Sequence, residues 1–345
     1  MANRYWRGGA GTWDGTSTTN WSATSGGAGG ASAPTSADDV FFNSASNATT
    51  YTVTIDASVS QPSCKSVTFS GPAAGTLTVN YGIGYSLYVY GDLTIAASGV
   101  NTSAFAADMR QASGTSTITT NNVTITFLFL TSAATFSLAS AITTSQYILG
   151  SVSGLIFNTN NYTITGGRVY STAGTLNLGT STLSNCGIQR ASSGVINAAS
   201  ATCNISATGK SINGGVTLGT LNFSFAGAMT LVGSNTITNF NITSAATQSI
   251  TFPAGGTTTI SNLIAVGTSG NLITFLSSSS GTTFTLTNGV PGSIISGDYL
   301  SITDSVATGG LGWYAGTHST NGGNNTGWTF TAPSSTGNFL SLIEG

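Results

Sequence analysis

Side chains able to act as acids or bases are sparse in this sequence. Away from the N-terminal segment the carboxylates stand singly, as Asp56, Asp92, Asp108, Asp298, Asp304 and Glu344. Glycoside hydrolysis needs two carboxylates about 5–9.5 Å apart, and among these only Asp298 and Asp304 are close in sequence. They flank the segment 299–302, where capping of the adjacent loops is the simpler role. We therefore expect no enzyme; a polysaccharide depolymerase, the enzymatic alternative, would have to assemble its acids across subunits.

The single histidine and the three cysteines offer little further chemistry. His318 is surrounded by Gly and Asn, and no nucleophile-elbow pattern occurs beside it. Serine catalysis would need this histidine near a serine and an orienting acid, so we predict a turn residue. Cys64, Cys186 and Cys203 form no CxxC pair, which indicates buried free thiols and neither a disulfide framework nor a zinc site.

One acidic pair has the chemistry of a cation site. Asp38 and Asp39 precede the apolar segment 40–42, and Asp14 or Asn43 could add oxygen atoms. Calcium takes six to eight oxygen ligands, and the sequence contains no complete ligand loop. Turn capping by the Asp side chains is the alternative. We expect no cofactor, with calcium at Asp38 and Asp39 as the one metal alternative.

A tyrosine group is the candidate binding site. The segment NYGIGYSLYVYG contains Tyr81, Tyr85, Tyr88 and Tyr90. Because successive side chains of a strand point to opposite faces, Tyr88 and Tyr90 share one face and Leu87 and Val89 the other. If the aliphatic pair is core, these two tyrosines face outward and can stack on a glycan. A subunit interface, or cover by a loop, fits the pattern equally well.

The elements that must position these residues are strands. Apolar residues alternate with Thr, Ser or Asn in many short segments, among them YTVTI at 51, GTLTV at 75, NVTITF at 122, GTLNL at 174 and GTLNF at 219. This period of two predicts strands, and no window has a helical period. GTLNL and GTLNF are 45 residues apart, and CNIS at 203 and FNIT at 240 are 37 apart. Both intervals are close to two turns of about twenty residues, which predicts an all-β parallel β-helix, or β-solenoid.

The charge distribution agrees with stacked coils. Charged residues make up 5% of the 345 residues, against about 25% in ordinary domains, and none occurs in 111–167 or 211–297. In stacked coils, outward Thr and Asn ladders hydrogen-bond to one another whereas like charges repel. The surface lacks the basic patch that nucleic acid requires. The longest apolar run, 127–130, is far below the roughly 20 residues that span a bilayer, so we expect neither a nucleic-acid nor a membrane partner.

Tryptophans concentrate where a solenoid would need closing. An open coil exposes a sheet edge and its core, and one Trp side chain can bury about 150–250 Å². We predict an N-terminal cap over 1–50, a solenoid shaft over 51–297, a C-terminal cap over 298–330 and a linker with an apolar tip over 331–345. The residues predicted to plug the two ends are Trp6, Trp13, Trp21, Trp313 and Trp328. The tip residues, which would dock on a neighbouring subunit or fold back on their own chain, are Phe339, Leu340, Leu342 and Ile343.

The two ends also resemble known proteins. The N-terminal pattern is Arg4-Tyr5-Trp6-x-Gly8-Gly9-x-Gly11-x-Trp13-Asp14 followed by Asn20-Trp21-Ser22, and the C-terminal pattern is ATGG at 307, WYA at 313 and NNTGWTF at 324. Both are similar to the ends of β-solenoid structural proteins of environmental and marine bacteriophages and of related adhesin-like surface proteins. The resemblance implies a virion-associated or adhesive role and supplies no catalytic residues.

The sequence thus predicts a non-enzymatic bacteriophage virion protein: a capsid decoration, a head fibre, or a tail fibre or spike. Its partners would be other virion proteins and copies of itself, with a trimer expected by analogy with fibres. The alternative is an adhesin that binds a host surface glycan, on a virion or on a bacterial surface. MANRYWRGGAGTW has no apolar run of the kind that a secretory signal needs, which favours assembly in a host cytoplasm and location on the virion.

Overall fold

The computed structural model describes residues 1–82, 86–243 and 246–331, and within these ranges the chain is all-β and has no helix. The parallel strands form a β-solenoid of about 12 turns, which confirms the predicted fold class. The chain divides into two compact units, Met1–Cys203 and Asn204–Gly345. A membrane-spanning helix of sufficient length and apolarity does not occur in the described ranges.

The first unit is built from short strands separated by turns. Its strands are β1 (Asn3–Trp6), β2 (Gly11–Trp13), β3 (Trp21–Ser22), β4 (Asp39–Phe42), β5 (Tyr51–Ile55), β6 (Ser63–Cys64), β7 (Val67–Phe69), β8 (Leu77–Tyr81), β9 (Leu87–Val89), β10 (Leu93–Ile95), β11 (Val100–Ala104), β12 (Ala106–Met109), β13 (Thr115–Thr119), β14 (Thr124–Leu130), β15 (Thr135–Leu138), β16 (Ile142–Gly150), β17 (Ile156–Asn158), β18 (Ile164–Gly166), β19 (Arg168–Asn177), β20 (Thr182–Ser184) and β21 (Gly187–Ile205).

The second unit begins within β21, whose last two residues, Asn204 and Ile205, belong to it, and it is likewise built from strands and turns. Its strands are β22 (Ser211–Asn213), β23 (Thr217–Phe223), β24 (Gly227–Val232), β25 (Thr236–Ile242), β26 (Gln248–Phe252), β27 (Thr257–Ala265), β28 (Ile273–Ser277), β29 (Phe284–Asn288), β30 (Ile294–Ser296), β31 (Leu300–Ile302), β32 (Ser305–Thr308), β33 (Gly312–Tyr314), β34 (Thr320–Asn321) and β35 (Trp328–Thr329).

The alternation of apolar and polar residues in the sequence corresponds to an alternation of buried and outward-facing side chains. In β5, Tyr51, Val53 and Ile55 are buried while the threonines between them are half-buried. The strand pairs in parallel register with β8, so that Val53 lies beside Val79. Apolar side chains at matching positions of successive coils therefore stack into continuous core columns. Full burial of one such aliphatic side chain contributes about 1.5–3 kcal/mol, which explains how a chain with few charges and many short strands holds together.

The register of the core columns gives the length of a coil. One column of the first unit consists of Leu87, Ala107, Leu128, Ile148, Val169 and Ile188, whose neighbours are 19 to 21 residues apart. In the second unit, Phe240 follows Leu221 after 19 residues, whereas Ile302 follows Phe275 after 27. The coil is therefore close to the predicted twenty residues, with insertions at some turns.

Asparagine pairs make several of the corners. Asn121 and Asn122 both have positive φ, at 49° and 64°, and so do Asn160 and Asn161, at 50° and 65°. Asn tolerates the left-handed region, and its side-chain amide can hydrogen-bond to nearby backbone. The Asn160 side chain does so by donating to the Leu138 carbonyl of the preceding coil, at 2.8 Å. The asparagines thus turn the chain, and the Asn160 side chain also hydrogen-bonds its corner to the preceding coil.

Candidate functional site

The three N-terminal tryptophans lie together at the end of the first unit. Each is at most 1% exposed, and the Trp21 ring centroid is 5.1 Å from that of Trp6 and 5.0 Å from that of Trp13. All three rings pack on Phe42. β1 pairs in parallel with β4 but antiparallel with β3, so the parallel stack stops at the strand that carries Trp21. The rings cover the apolar core at that point.

The two C-terminal tryptophans also pack against each other, but one of them is more exposed. Trp313 on β33 is buried and Trp328 on β35 is half-buried, with their ring centroids 5.1 Å apart. The Trp313 indole donates to the Thr308 carbonyl at 2.8 Å, and the Trp328 indole donates to Ser305 Oγ at 3.0 Å. Both polar N–H groups are therefore satisfied while the rings pack over the last described coils.

The acids proposed as calcium ligands act as turn caps. Asp38 is buried; its Oδ1 accepts from the Ala2 N–H, and its Oδ2 accepts from the N–H and the hydroxyl of Thr35. Burial raises the pKa of Asp38, but these hydrogen bonds and the charge of Arg4 outweigh it, so the pKa lies below its usual range. Asp14 is held in the same way by Thr16 and Ser17, and its pKa is also lowered.

Asp39 points to a different partner. Its Oδ1 lies 3.7 Å from the Lys65 ammonium, while Asn43 Oδ1 accepts from the Ala45 N–H. Across the described residues, three or more His, Cys, Asp or Glu side chains do not gather into a metal-ligand group. Calcium at Asp38 and Asp39 stays a prediction.

His318 has a partner that the sequence analysis did not identify. Its Nδ1 lies 2.8 Å from Asp298 Oδ2, and its ring stacks on Tyr299 at 4.5 Å and 4°. Burial raises the pKa of Asp298, but hydrogen bonds from His318 and Tyr299 outweigh it and lower the pKa. The two residues are 20 positions apart, which is one coil, so coil length was the available signal. The imidazole is 55% exposed, an open position for an acid–base group.

Asp298 and Asp304 serve separate loops. Asp304 is buried; its Oδ2 accepts from the Gly281 N–H at 2.9 Å and its Oδ1 from the Asn324 amide at 2.7 Å. Both acids thus cap turns, the role favoured from the sequence. The prediction of buried free thiols is confirmed for Cys64, Cys186 and Cys203, and burial raises the pKa of Cys64 and Cys203.

The outward side of the first unit carries a group of aromatic rings arranged in two rows. We call it the aromatic face; it consists of Tyr88, Phe127, Phe129, Tyr147 and Tyr170, all half-buried. In the first row the register runs from Tyr88 through Asp108, Phe129 and Leu149 to Tyr170 and Gln189. In the second row Phe127 is paired with Tyr147, and Arg168 lies one coil further on.

Three rings of the aromatic face touch one another. Phe127 and Phe129 stack at 5.5 Å on β14, and Tyr147 meets Phe127 edge-on at 4.8 Å and Phe129 at 5.9 Å. Tyr81 stands at the margin, 6.4 Å from Phe127. Phe127, Phe129 and Tyr147 thus form a contiguous apolar surface, whereas Asp108 separates Tyr88 from Phe129 in the first row.

A guanidinium group covers the ring at one end of the face. The Arg110 Cζ lies 3.5 Å above the centroid of the Tyr88 ring. Two nitrogen atoms of Arg110, Nη2 and Nε, contact Asp108 Oδ2 at 2.7 and 2.9 Å, and Thr131 donates to the other carboxylate oxygen. The charge of Arg110 is therefore already balanced, and the contact with Tyr88 is a cation–π interaction of about 0.5–2 kcal/mol.

Arg168, at the opposite end of the face, has a different environment. Its Nη1 donates to Gln189 Oε1 on the next coil, and no carboxylate among the described residues forms an ion pair with it. A guanidinium carries five N–H donors, so most of its donor capacity is available. The Tyr147 and Tyr170 hydroxyls form no hydrogen bond within the described ranges. The face thus ends in an uncompensated cation flanked by free hydroxyls.

The sequence analysis found part of this surface. Leu87 and Val89 are buried while Tyr88 and Tyr90 are half-buried, the arrangement on which the glycan hypothesis depended. Tyr85 lies outside the described residues, as do Phe339, Leu340, Leu342 and Ile343. Phe127, Phe129 and Tyr147 were missed because an apolar run reads as core. The signal that could have found them is the 20-residue interval from Phe127 to Tyr147, which equals one coil.

Other outward rows are filled with amides instead of rings. In the second unit, Asn222 donates to Asn204 at 2.7 Å and Asn241 donates to Asn222 at 2.8 Å; we call these three residues the amide ladder. They are 18 and 19 residues apart, so CNIS and FNIT are separated by two coils, as predicted. Asn158, Asn177 and Asn197 form a similar series in the first unit.

Comparison of the chain with protein families, with curated proteins and with solved structures finds no match. The functional argument therefore depends on the chemistry of the chain's own surfaces.

Proposed function

We propose that this protein is a non-enzymatic structural component of a bacteriophage virion, a capsid decoration, head fibre, tail fibre or spike, that presents a stiff and weakly charged surface. The observation that carries the proposal is the construction of the shaft. Coils of about twenty residues stack in parallel register, outward asparagines hydrogen-bond from coil to coil, and buried tryptophans cover the end of the first unit. Such a stack resists bending because each coil is fixed by its neighbours.

The use of the polar groups supports a non-catalytic role. Asp38 and Asp304 are buried and accept hydrogen bonds from turn N–H groups. Asp108 is paired with Arg110. Asp298 holds a His318 ring that is more than half exposed, whereas acid–base catalysis usually places its groups beside bound substrate in a cleft.

Cryo-electron microscopy of native particles from the source material tests the proposal. We expect this chain at fixed stoichiometry on a capsid or tail lattice, as a homotrimer if the analogy with fibres holds. Filaments or cell-surface material without particles would contradict it.

An adhesin that binds a host glycan is the second candidate. The aromatic face favours it, because contiguous outward aromatic rings are uncommon on a surface that needs no partner. Binding of a glycan by the isolated chain, lost when the rings are removed, would support this function whether the protein is carried by a virion or by a bacterial surface.

A further inference from the structure

We propose that the aromatic face of the first unit binds an acidic polysaccharide of the polyuronate class, with its sugar rings stacked on Phe127, Phe129 and Tyr147 and a carboxylate on Arg168. The inference deepens the adhesive function proposed above and depends on it. It requires that the face be accessible on the assembled protein, and it is independent of where the protein is carried.

The rings supply the apolar half of the site. Phe127 and Phe129 stack on each other at 5.5 Å, and Tyr147 meets them edge-on at 4.8 and 5.9 Å. All three are half-buried, so part of each ring remains exposed. Aromatic faces carry partial negative charge, which attracts the C–H groups on the flat side of a sugar ring. Stacking of this kind is tolerant of sequence and of small shifts, as it is for bases on aromatic platforms.

The spacing of the rows suits a chain-like ligand. Successive coils are about 4.8 Å apart, and alternate residues of one strand are about 6.6 Å apart. Phe129, Leu149 and Tyr170 therefore follow one another along the coil stack, and Phe127, Tyr147 and Arg168 run beside them. A linear polymer lying along these rows meets an apolar side chain at each coil. A small globular ligand would leave most of the rows unused.

The charges on the aromatic face favour an acidic ligand over a neutral one. Arg168 lies directly after Tyr147 in its row and has no ion-pair partner among the described residues, whereas Asp108, the acid of this face, is already neutralised by Arg110. A guanidinium binds a carboxylate through two parallel N–H bonds, and the neighbouring hydroxyls of Tyr147 and Tyr170 can donate to sugar oxygens. A neutral sugar would use the rings and leave the cation unmatched.

Equilibrium binding to immobilised full-length chain tests the proposal with three acidic probes: the polyuronates polygalacturonate and alginate, and hyaluronate, in which uronate alternates with a neutral sugar. The methyl ester of polygalacturonate is the matched neutral probe, because it keeps the sugar backbone and removes the charge. We expect binding of at least one polyuronate, about tenfold weaker binding of the corresponding ester, and loss of affinity as the salt concentration rises. Failure of all three acids to bind would overturn the proposal, as would equal affinity for acid and ester.

Variants locate the site. Tyr147→Ser should weaken binding by about tenfold, in the range of one lost stacking contact; Tyr162→Ser, an exposed tyrosine outside the two rows, should leave it unchanged. Arg168→Gln should weaken binding of the acid several-fold and binding of the ester by less than twofold, whereas Arg7→Gln removes the same charge elsewhere and should do neither. Circular dichroism and the melting temperature report whether each variant is folded.

A second copy of the chain is the rival occupant. If the face is an interface between copies, the double variant Phe127→Ser with Tyr147→Ser will lower the mass measured by light scattering, which would overturn the proposal. An unchanged mass together with lost polyuronate binding supports it. Binding is measured on the isolated chain, so the result does not depend on where the protein is carried. If the chain binds a polyuronate but is absent from particles, only the virion proposal is contradicted.

Discussion

Two groups of aromatic rings in the first unit have the same side-chain chemistry and opposite surroundings. Trp6, Trp13 and Trp21 are at most 1% exposed and pack on Phe42, whereas Phe127 and Tyr147 are half-buried on outward rows. The first group follows the inward positions of its strands and covers the core. The second group occupies outward positions, and aromatic residues at outward positions are not needed to fill the core.

The amide ladder shows what outward rows contain when they serve the fold alone. Asn222 donates to one neighbour and accepts from the other, so the row satisfies its own hydrogen bonds and offers little to a ligand. The rings of the aromatic face leave part of their surface exposed, and Arg168 at their end keeps unused donors. The difference indicates that an outward row is structural when its groups are satisfied within the row and is available for binding when they are not.

The largest effect should come from the buried rings. Trp21→Ala removes a side chain that contacts Trp6, Trp13 and Phe42, and we expect a loss of about 3–5 kcal/mol in unfolding free energy. Phe129→Ala on the aromatic face is the matched control and should cost about 1–3 kcal/mol, because it removes two ring–ring contacts that contribute about 0.5–1.5 kcal/mol each. Urea unfolding of both variants measures the difference. Equal losses would remove the distinction between the two groups of rings.

The second-largest loss of unfolding free energy should come from the amide ladder. Asn222→Ala removes two side-chain hydrogen bonds, each contributing about 0.5–1.5 kcal/mol, so we expect a loss of about 1–3 kcal/mol and no change in polyuronate binding. Asn241→Ala removes one ladder bond and should cost about half as much. Thermal unfolding of the two variants tests this order; a ladder variant that changes binding but not stability would contradict the assignment of the row to the fold.

Low pH should destabilise the N-terminal end, where the three tryptophans are buried, more than it destabilises the aromatic face. Asp38 and Asp14 have pKa values lowered in the folded chain, below the unfolded value of about 3.9. Their contribution is therefore complete above about pH 4 and is lost as the pH falls through the folded pKa values. We expect the melting temperature to drop as the pH falls from about 4 to about 2, and Asp38→Asn to flatten part of that drop. A melting temperature independent of pH over this interval would refute the capping role.

The smallest effect is expected at His318. Its ring, which pairs with Asp298, is 55% exposed, and side-chain pairs at exposed positions contribute about 0–1 kcal/mol. His318→Ala should therefore change the unfolding free energy by less than about 1 kcal/mol at neutral pH, well below Trp21→Ala. Differential scanning calorimetry is sensitive enough to compare the two variants. A loss as large as that of Trp21→Ala would mean that the pair holds the end of the second unit together.

Much of the fold could be predicted from the sequence because the alternation of apolar and polar residues is local. The strand containing Val53 and the two-coil interval from CNIS to FNIT were both readable in this way. The tryptophans were predicted to plug the ends because Trp among turn-forming residues needs a buried place, and the structure brings the three N-terminal ones together.

The aromatic face and the Asp298–His318 pair were not predicted because they depend on the register between coils. Intervals between paired core residues vary, for example 18 residues from Ile295 to Trp313 and 27 from Phe275 to Ile302, so the sequence does not fix which outward residues become neighbours. Phe127 and Phe129 alternate with Leu128 and Leu130 in an apolar run, and sequence alone does not show which side of that run is inside. The division between Cys203 and Asn204 is likewise not among the boundaries predicted from composition.

The most direct test of the central claim, that the aromatic face is a binding surface, is a crystal structure of the chain with an oligogalacturonate. We predict sugar rings stacked on Phe127 and Tyr147 with a carboxylate on the Arg168 guanidinium. A second copy of the chain seated on these rings, or an oligosaccharide bound away from both rows, would contradict the account.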